Sequence, residues 1–154
     1  KIIDKEENIN ASFIFQCPKK MISKIKNELK NIRSPITISD FFINIDEILQ
    51  KTSLAISRAG AGSISDLINN NVPAILIPLP SSRDNHQFYN ARILLKQEVA
   101  IILDQNFNQL NKAKKYIYEI YNNLNKPELI NDRFNKIKVK KSNTLIYNLI
   151  TDEK

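Results

Sequence analysis

Short, continuously apolar blocks alternate with amphipathic stretches along this chain. "SFIFQC" (12–17), "PITI" (35–38), "SLAIS" (53–57), "VPAILIP" (72–78) and "VAIIL" (99–103) have strand length and little internal alternation. Between them the apolar positions recur at helical spacing. Ile22, Ile25, Leu29 and Ile32 follow Pro18, a residue suited to a helix start. A short helix is expected over 44–51 with Asn44 as its cap, another over 63–70, and longer ones over 84–97 and 109–124. Residues 127–150 read as helical, with a break near Lys140–Ser142. Strands that are apolar throughout, each separated from the next by a helix, predict a parallel sheet covered on both faces. The expected fold is therefore α/β, a Rossmann-like doubly wound sheet of about five strands, with 1–154 as a single domain. Ligands of such sheets bind beyond the carboxyl ends of the strands.

One of those strand ends carries "SRAGAGSISDL" (57–67), which holds both glycines of the chain, Gly60 and Gly62. Ordinary usage would supply roughly eleven. A glycine there permits positive φ, and without a Cβ it lets backbone amides approach a ligand closely. The helix expected from Ser63 aims its free N–H groups and positive dipole end into the same space, where a phosphate or diphosphate is a natural guest. The plain alternative is a tight turn with Ser63 as cap and Asp66 completing an S-x-x-D capping box. The segment has neither the G-K-[ST] of a P-loop nor a G-x-G-x-x-G. Asp66, one turn into the helix, could also accept hydrogen bonds from a ribose diol.

A second constellation follows the fourth strand: "PLPSSRDNHQFYNA" (78–91), a proline-bounded loop entering a helix that bears His86, Gln87 and Asn90. Amides that donate and accept suit sugar hydroxyls. The single histidine has no second ligand at metal-site spacing, so an exposed or capping role competes with a chemical one.

Composition narrows the classes. The chain is 42% hydrophobic and 25% charged, which describes a globular domain. One cysteine, Cys17, excludes a disulfide framework and reads as a buried, inert thiol compatible with a reducing cytoplasm. There is no apolar run long enough to span a bilayer and no signal-peptide pattern. The net charge of +7 suits an anionic lipid, a nucleic acid or a phosphorylated ligand. Its lysines are scattered, however, with small clusters at Lys112–Lys115 and Lys136–Lys141, and no aromatic–basic interleaving of the kind that grips single strands.

The segments "ISRAGAGSISDL", "VPAILIPLP", "DNHQFYNARIL" and "VAIILDQ", in this order, resemble the carboxy-terminal half of the MurG family of GT-B glycosyltransferases, glycosyltransferase family 28. The likeness runs from about Ser12 to Leu103 and is weaker in the helical remainder, 104–154. It implies a donor site for UDP-N-acetylglucosamine, whose sugar the family adds to the lipid-linked muramyl-pentapeptide precursor of peptidoglycan. On that resemblance Ala61, Gly62 and Ser63 offer amides to the diphosphate beside Gly60. Asp66, where the family has Glu, holds the ribose, and His86, Gln87 and Asn90 meet the sugar. Phe42, with Phe41 beside it, lies along the uracil, and Arg58 braces the loop or approaches the phosphates. No metal and no further cofactor is implied, and the location is cytoplasmic, peripheral on the inner face of the membrane.

The chain also departs from the family pattern. Gly62 stands where the family often has a larger residue. Nothing before Ile14 resembles the family's glycine-rich loop, and the amino-terminal half with the expected catalytic base has no counterpart. The chain thus reads as amino-terminally truncated, inactive without that half or a partner chain carrying it. The alternatives are a donor subunit of a split two-chain transferase or a non-catalytic nucleotide-sugar-binding remnant. No nucleic-acid partner is expected.

Overall fold

A computed structural model describes residues 11–105 and 109–137. The described chain forms two compact units, meeting in sequence at Ile45 and Asp46. In the first, β1 (Phe13–Gln16) runs parallel to β2 (Ile36–Ser39), with Phe13 opposite Ile36 and Gln16 opposite Ser39. The connection is a 3-10 turn at Lys19–Met21 and then α1 (Ile22–Leu29). Ile22, Ile25 and Leu29 are the sheltered positions of α1, as their spacing requires, while its lysines are exposed. Along β1, half-buried Phe13 and Phe15 alternate with exposed Ile14 and Gln16, so among the described residues the cover of this strand is one-sided. Cys17 is a free thiol and only half-buried, so the expectation of full burial does not hold.

The boundary falls after the first residue of α2 (Ile45–Leu49), and the second unit carries β3 (Ala55–Ser57), α3 (Ala61–Asn69), β4 (Ala74–Leu76), α4 (His86–Leu95), β5 (Ala100–Ile102), α5 (Leu110–Asn122) and α6 (Pro127–Asn135). The three strands are parallel in the order β3-β4-β5, with Ile56, Ile75 and Ile101 in register. The five strands thus form two ladders, each within its own unit. Ala74, Leu76 and Ala100 pack with Ile64 and Leu67 of α3, Ala91 and Leu94 of α4 and Phe134 of α6. Ile75 and Leu103 pack with Ala113, Tyr116 and Ile120 of α5. β4 is buried along its whole length, so its apolar run has the two-sided cover that its sequence predicts. Ile56 on β3 stays 66% exposed because neither layer reaches it. Burial raises the Tyr116 hydroxyl above the ordinary tyrosine range, Glu119 adds to the rise, and Arg133 opposes it.

Helix ends explain several boundaries. α3 closes with Val72 N–H on Leu67 O at 3.0 Å and Asn71 N–H on Ile68 O at 3.3 Å, the two bonds of a Schellman motif, with Asn71 at φ 53°. α4 closes in the same way. Val99 N–H reaches Leu94 O at 3.2 Å, Glu98 N–H reaches Leu95 O at 3.0 Å, and Glu98 sits at φ 56°. At α4's other end Asp84 and Asn85 are both left-handed, which turns the chain into the helix. The anticipated break at Lys140–Ser142 lies outside the described residues.

Candidate donor site at the head of α3

The glycine segment begins where β3 ends. Arg58 leaves the strand, Ala59 is fully buried, and Gly60 is the residue before the first helical one. α3 therefore starts at Ala61, two residues earlier than the sequence pattern suggests, and Gly62 lies in its first turn. This corrects two expectations. Neither glycine has positive φ, and Gly60 is extended at φ −65°, ψ 152°. Ser63 is the third helical residue rather than the cap, so Ser63 and Asp66 form no capping box. No side chain caps the helix, and no acidic residue stands in its first turn.

The first bond of the helical ladder runs from Ile64 N–H to Gly60 O at 3.0 Å. The amides of Ala61, Gly62 and Ser63 precede it, at the positive end of the helix. A Cβ placed on Gly60 or on Gly62 would meet nothing within 4 Å. The backbone conformation does not demand these glycines, and neither does the packing of the described residues. What they leave is an accessible row of donors. Asp66 lies farther along α3, half-buried.

The structure brings the second constellation to this turn. Asn90 Nδ2 donates to Ala59 O at 3.1 Å, joining α4 to the residue before Gly60. Gln87 Oε1 accepts from Leu79 N–H at 2.9 Å and fixes the loop after β4. His86 opens α4 and is exposed. Arg58 reaches the carbonyls that follow β4. Its Nη1 donates to Ile77 O at 3.0 Å and to Pro78 O at 3.4 Å. With its amide oxygen facing the guanidinium, Gln105 accepts from both terminal nitrogens of Arg58, at 2.6 and 3.0 Å. Ile56, Ser57, Arg58, Ile77 and Gln105 line an open cleft of about 340 Å³ at the carboxyl ends of the strands, where ligands of such sheets bind.

Ala59 and Gln105 were not singled out by sequence. Ala59 acts through its carbonyl, which leaves no residue-type signal, and Gln105 is marked only by following β5. Phe42 belongs to the first unit, on the segment after β2. It is half-buried beside Phe41, which is 68% exposed. Among the described residues no group of three or more His, Cys, Asp or Glu is placed to hold a metal ion. No helix among them is long and apolar enough to cross a membrane.

The family model described as the glycosyltransferase family 28 C-terminal domain matches residues 1–146. The chain belongs to this family. Its relatives include proteins named UDP-N-acetylglucosamine--N-acetylmuramyl-(pentapeptide) pyrophosphoryl-undecaprenol N-acetylglucosamine transferase. One from Wolbachia sp. subsp. Drosophila simulans is 35% identical over 129 residues, covering 84% of this chain and 38% of the relative. One from Campylobacter jejuni strain RM1221 is 36% identical over 116 residues, covering 75% and 34%. One from Rickettsia bellii is 33% identical over 153 residues, covering 98% and 42%. The chain thus spans about two fifths of the length of these curated relatives. The crystal structure of Acinetobacter baumannii MurG superposes with a TM-score of 0.67 at 21% identity, covering 89% of this chain and 39% of that one. That likeness shows the fold, a Rossmann-like α/β domain of the GT-B type.

Proposed function

We propose that this chain is the donor-binding half of an N-acetylglucosaminyltransferase of peptidoglycan synthesis. The full reaction transfers N-acetylglucosamine from its UDP conjugate to the lipid-linked muramyl-pentapeptide, converting lipid I to lipid II at the inner face of the membrane. The acceptor site and its base are supplied by an amino-terminal half or a partner chain, and this half alone does not turn over. The observation that carries the reading is the uncapped, acid-free start of α3, its amides bordered by glycines where a Cβ would find open space.

In this reading the base removes the proton of the acceptor hydroxyl, whose oxygen attacks C1 of the sugar with inversion as the bond to the diphosphate breaks. Negative charge gathers on the departing UDP. The amides of Ala61, Gly62 and Ser63 and the Ser63 hydroxyl meet that charge without reorganising, and a helix end contributes about 0.3–1 kcal/mol, up to about 2 where partly buried. Asp66 accepts from the ribose diol, at about 1.5–3 kcal/mol for hydrogen bonds to a charged group. His86 faces the sugar together with the outer faces of Gln87 and Asn90, whose other contacts hold the loop and the turn. Arg58 serves by fixing the strand ends.

Ligand-observed NMR with UDP-N-acetylglucosamine tests this. Saturation transfer to uracil and sugar protons is expected in the parent chain, with at least a tenfold weaker affinity in Asp66→Ala. A folded chain that gives no transfer at millimolar ligand overturns the reading.

A further inference from the structure

Among the described residues, the groups that hold Arg58 at the strand ends carry no charge. Arg58 follows β3, Ile77 and Pro78 follow β4, and Gln105 lies just beyond β5, so one guanidinium reaches across three carboxyl ends. Its acceptors are the carbonyls of Ile77 and Pro78 and the amide oxygen of Gln105, which meets both terminal nitrogens. Arg133 on α6 is treated differently. It is paired with acids, Glu98 at 3.5 Å and Glu119 at 4.0 Å. A carboxylate at position 105 would hold the guanidinium about twice as strongly as an amide does, and would cancel its charge. The amide gives up strength and keeps the charge. Arg58 and Gln105 both line the open cleft of about 340 Å³, with Ile56 and Ile77 as its apolar lining. Walls of low polarity let a charge act farther than it does in bulk water. Ala61, the first of the free amides of α3, comes three residues after Arg58, at most about 11 Å along an extended chain.

We propose that Gln105 is a positioning residue: it fixes the Arg58 guanidinium at the strand ends and leaves its positive charge undiminished for the diphosphate of the donor. The inference rests on the donor reading and goes beyond it, since Gln105 acts only through Arg58. Arg58 ties the strand ends together whichever acceptor stands at position 105. What the amide adds over a carboxylate is an uncancelled field where the anion arrives. A merely structural residue at this place would be improved by a carboxylate. A residue that positions a cation for an anion would be damaged by it.

Gln105→Glu and Gln105→Leu separate the two roles, each measured by thermal unfolding and by the NMR titration with UDP-N-acetylglucosamine. Glutamate keeps an acceptor for both nitrogens, so its midpoint equals or exceeds the parent's. Leucine keeps the bulk, loses the acceptor and unfolds at a lower temperature. Donor affinity follows a different order. It falls about threefold in Gln105→Leu, where the charge survives but is held less firmly, and about tenfold in Gln105→Glu, where it is held and cancelled. Lys126→Gln makes the same one-unit change in net charge outside the cleft and alters affinity by less than about twofold. Equal affinity in the parent and Gln105→Glu, or affinities that simply follow the midpoints, overturn the inference and leave the donor reading standing. No binding by a folded parent chain overturns the donor reading, and the role of Gln105 falls with it.

Discussion

The two ends of α3 treat glycine in opposite ways. At the carboxyl end the backbone turns left-handed, the conformation for which glycine is the usual choice, and the chain places Asn71 there. α4 ends in the same geometry with Glu98, a residue with less claim to it. Asp84 and Asn85 add two more left-handed positions without glycine. At the amino end of α3 the backbone is ordinary, and that is where Gly60 and Gly62 sit. A chain this poor in glycine accepts strain of about 1 kcal/mol at a helix end, yet keeps both glycines where no dihedral asks for them. The contrast points away from the fold and towards whatever meets the exposed amides. It also separates two reasons for a glycine, conformation and access, that a sequence alone presents as one.

The strongest challenge to that contrast is Gly60→Ser. Serine is among the best residues at this position, and its hydroxyl would accept from an amide two or three residues on. Stability should rise by a few tenths of a kcal/mol, measured by thermal unfolding. Affinity for UDP-N-acetylglucosamine should fall at least tenfold in the NMR titration, because the new side chain fills the approach and engages a donor that the diphosphate needs. Unchanged affinity would mean that access is not why glycine stands there.

Gly62→Ala sharpens the contrast from the other side. Gly62 lies in the first turn of α3, exposed. Alanine gains up to about 1 kcal/mol over glycine within a helix, less near its start. The expected result is a midpoint about 2 °C higher with donor affinity about threefold lower, since a methyl group crowds the amides less than the serine side chain does. Unchanged affinity would mean that access is not why Gly62 is there. A tenfold loss would give Gly62 the same role as Gly60.

Much of this arrangement was legible beforehand, and the limits of that reading have physical causes. Apolar runs such as 72–78 located the strands because a buried parallel strand tolerates few polar residues. The helical spacing of Ile22, Ile25 and Leu29 located α1. The start of α3 was misplaced because Gly-Ala-Gly has poor helix propensity, while the packing of Ile64 and Leu67 overrides it. The hydrogen bond from Asn90 to Ala59 and the grip of Arg58 on Ile77 and Pro78 join residues far apart in sequence through main-chain carbonyls, which carry no sequence mark.

The smallest expected effect tests the other half of the contrast, the claim that conformation is strained where glycine is missing. Glu98→Gly removes a left-handed residue with a Cβ, worth about 1 kcal/mol. It keeps the hydrogen bond from Arg133 Nη1 to the Glu98 carbonyl at 3.0 Å, because that acceptor is main chain. It forfeits the side-chain ion pair at 3.5 Å, an exposed contact worth about 0–1 kcal/mol, and it frees the unfolded chain somewhat. These contributions leave a net gain of about 0.5 kcal/mol at most. Asn71→Gly should gain less, since asparagine is at home in this region and Asn71 Nδ2 also donates to Asn131 Oδ1 at 2.9 Å. Denaturant unfolding of the two variants beside the parent gives the order directly. Glu98→Gly above Asn71→Gly places the strain at Glu98; the reverse order would mean that its ion pair outweighs its dihedral, and that α4 has solved its missing glycine electrostatically.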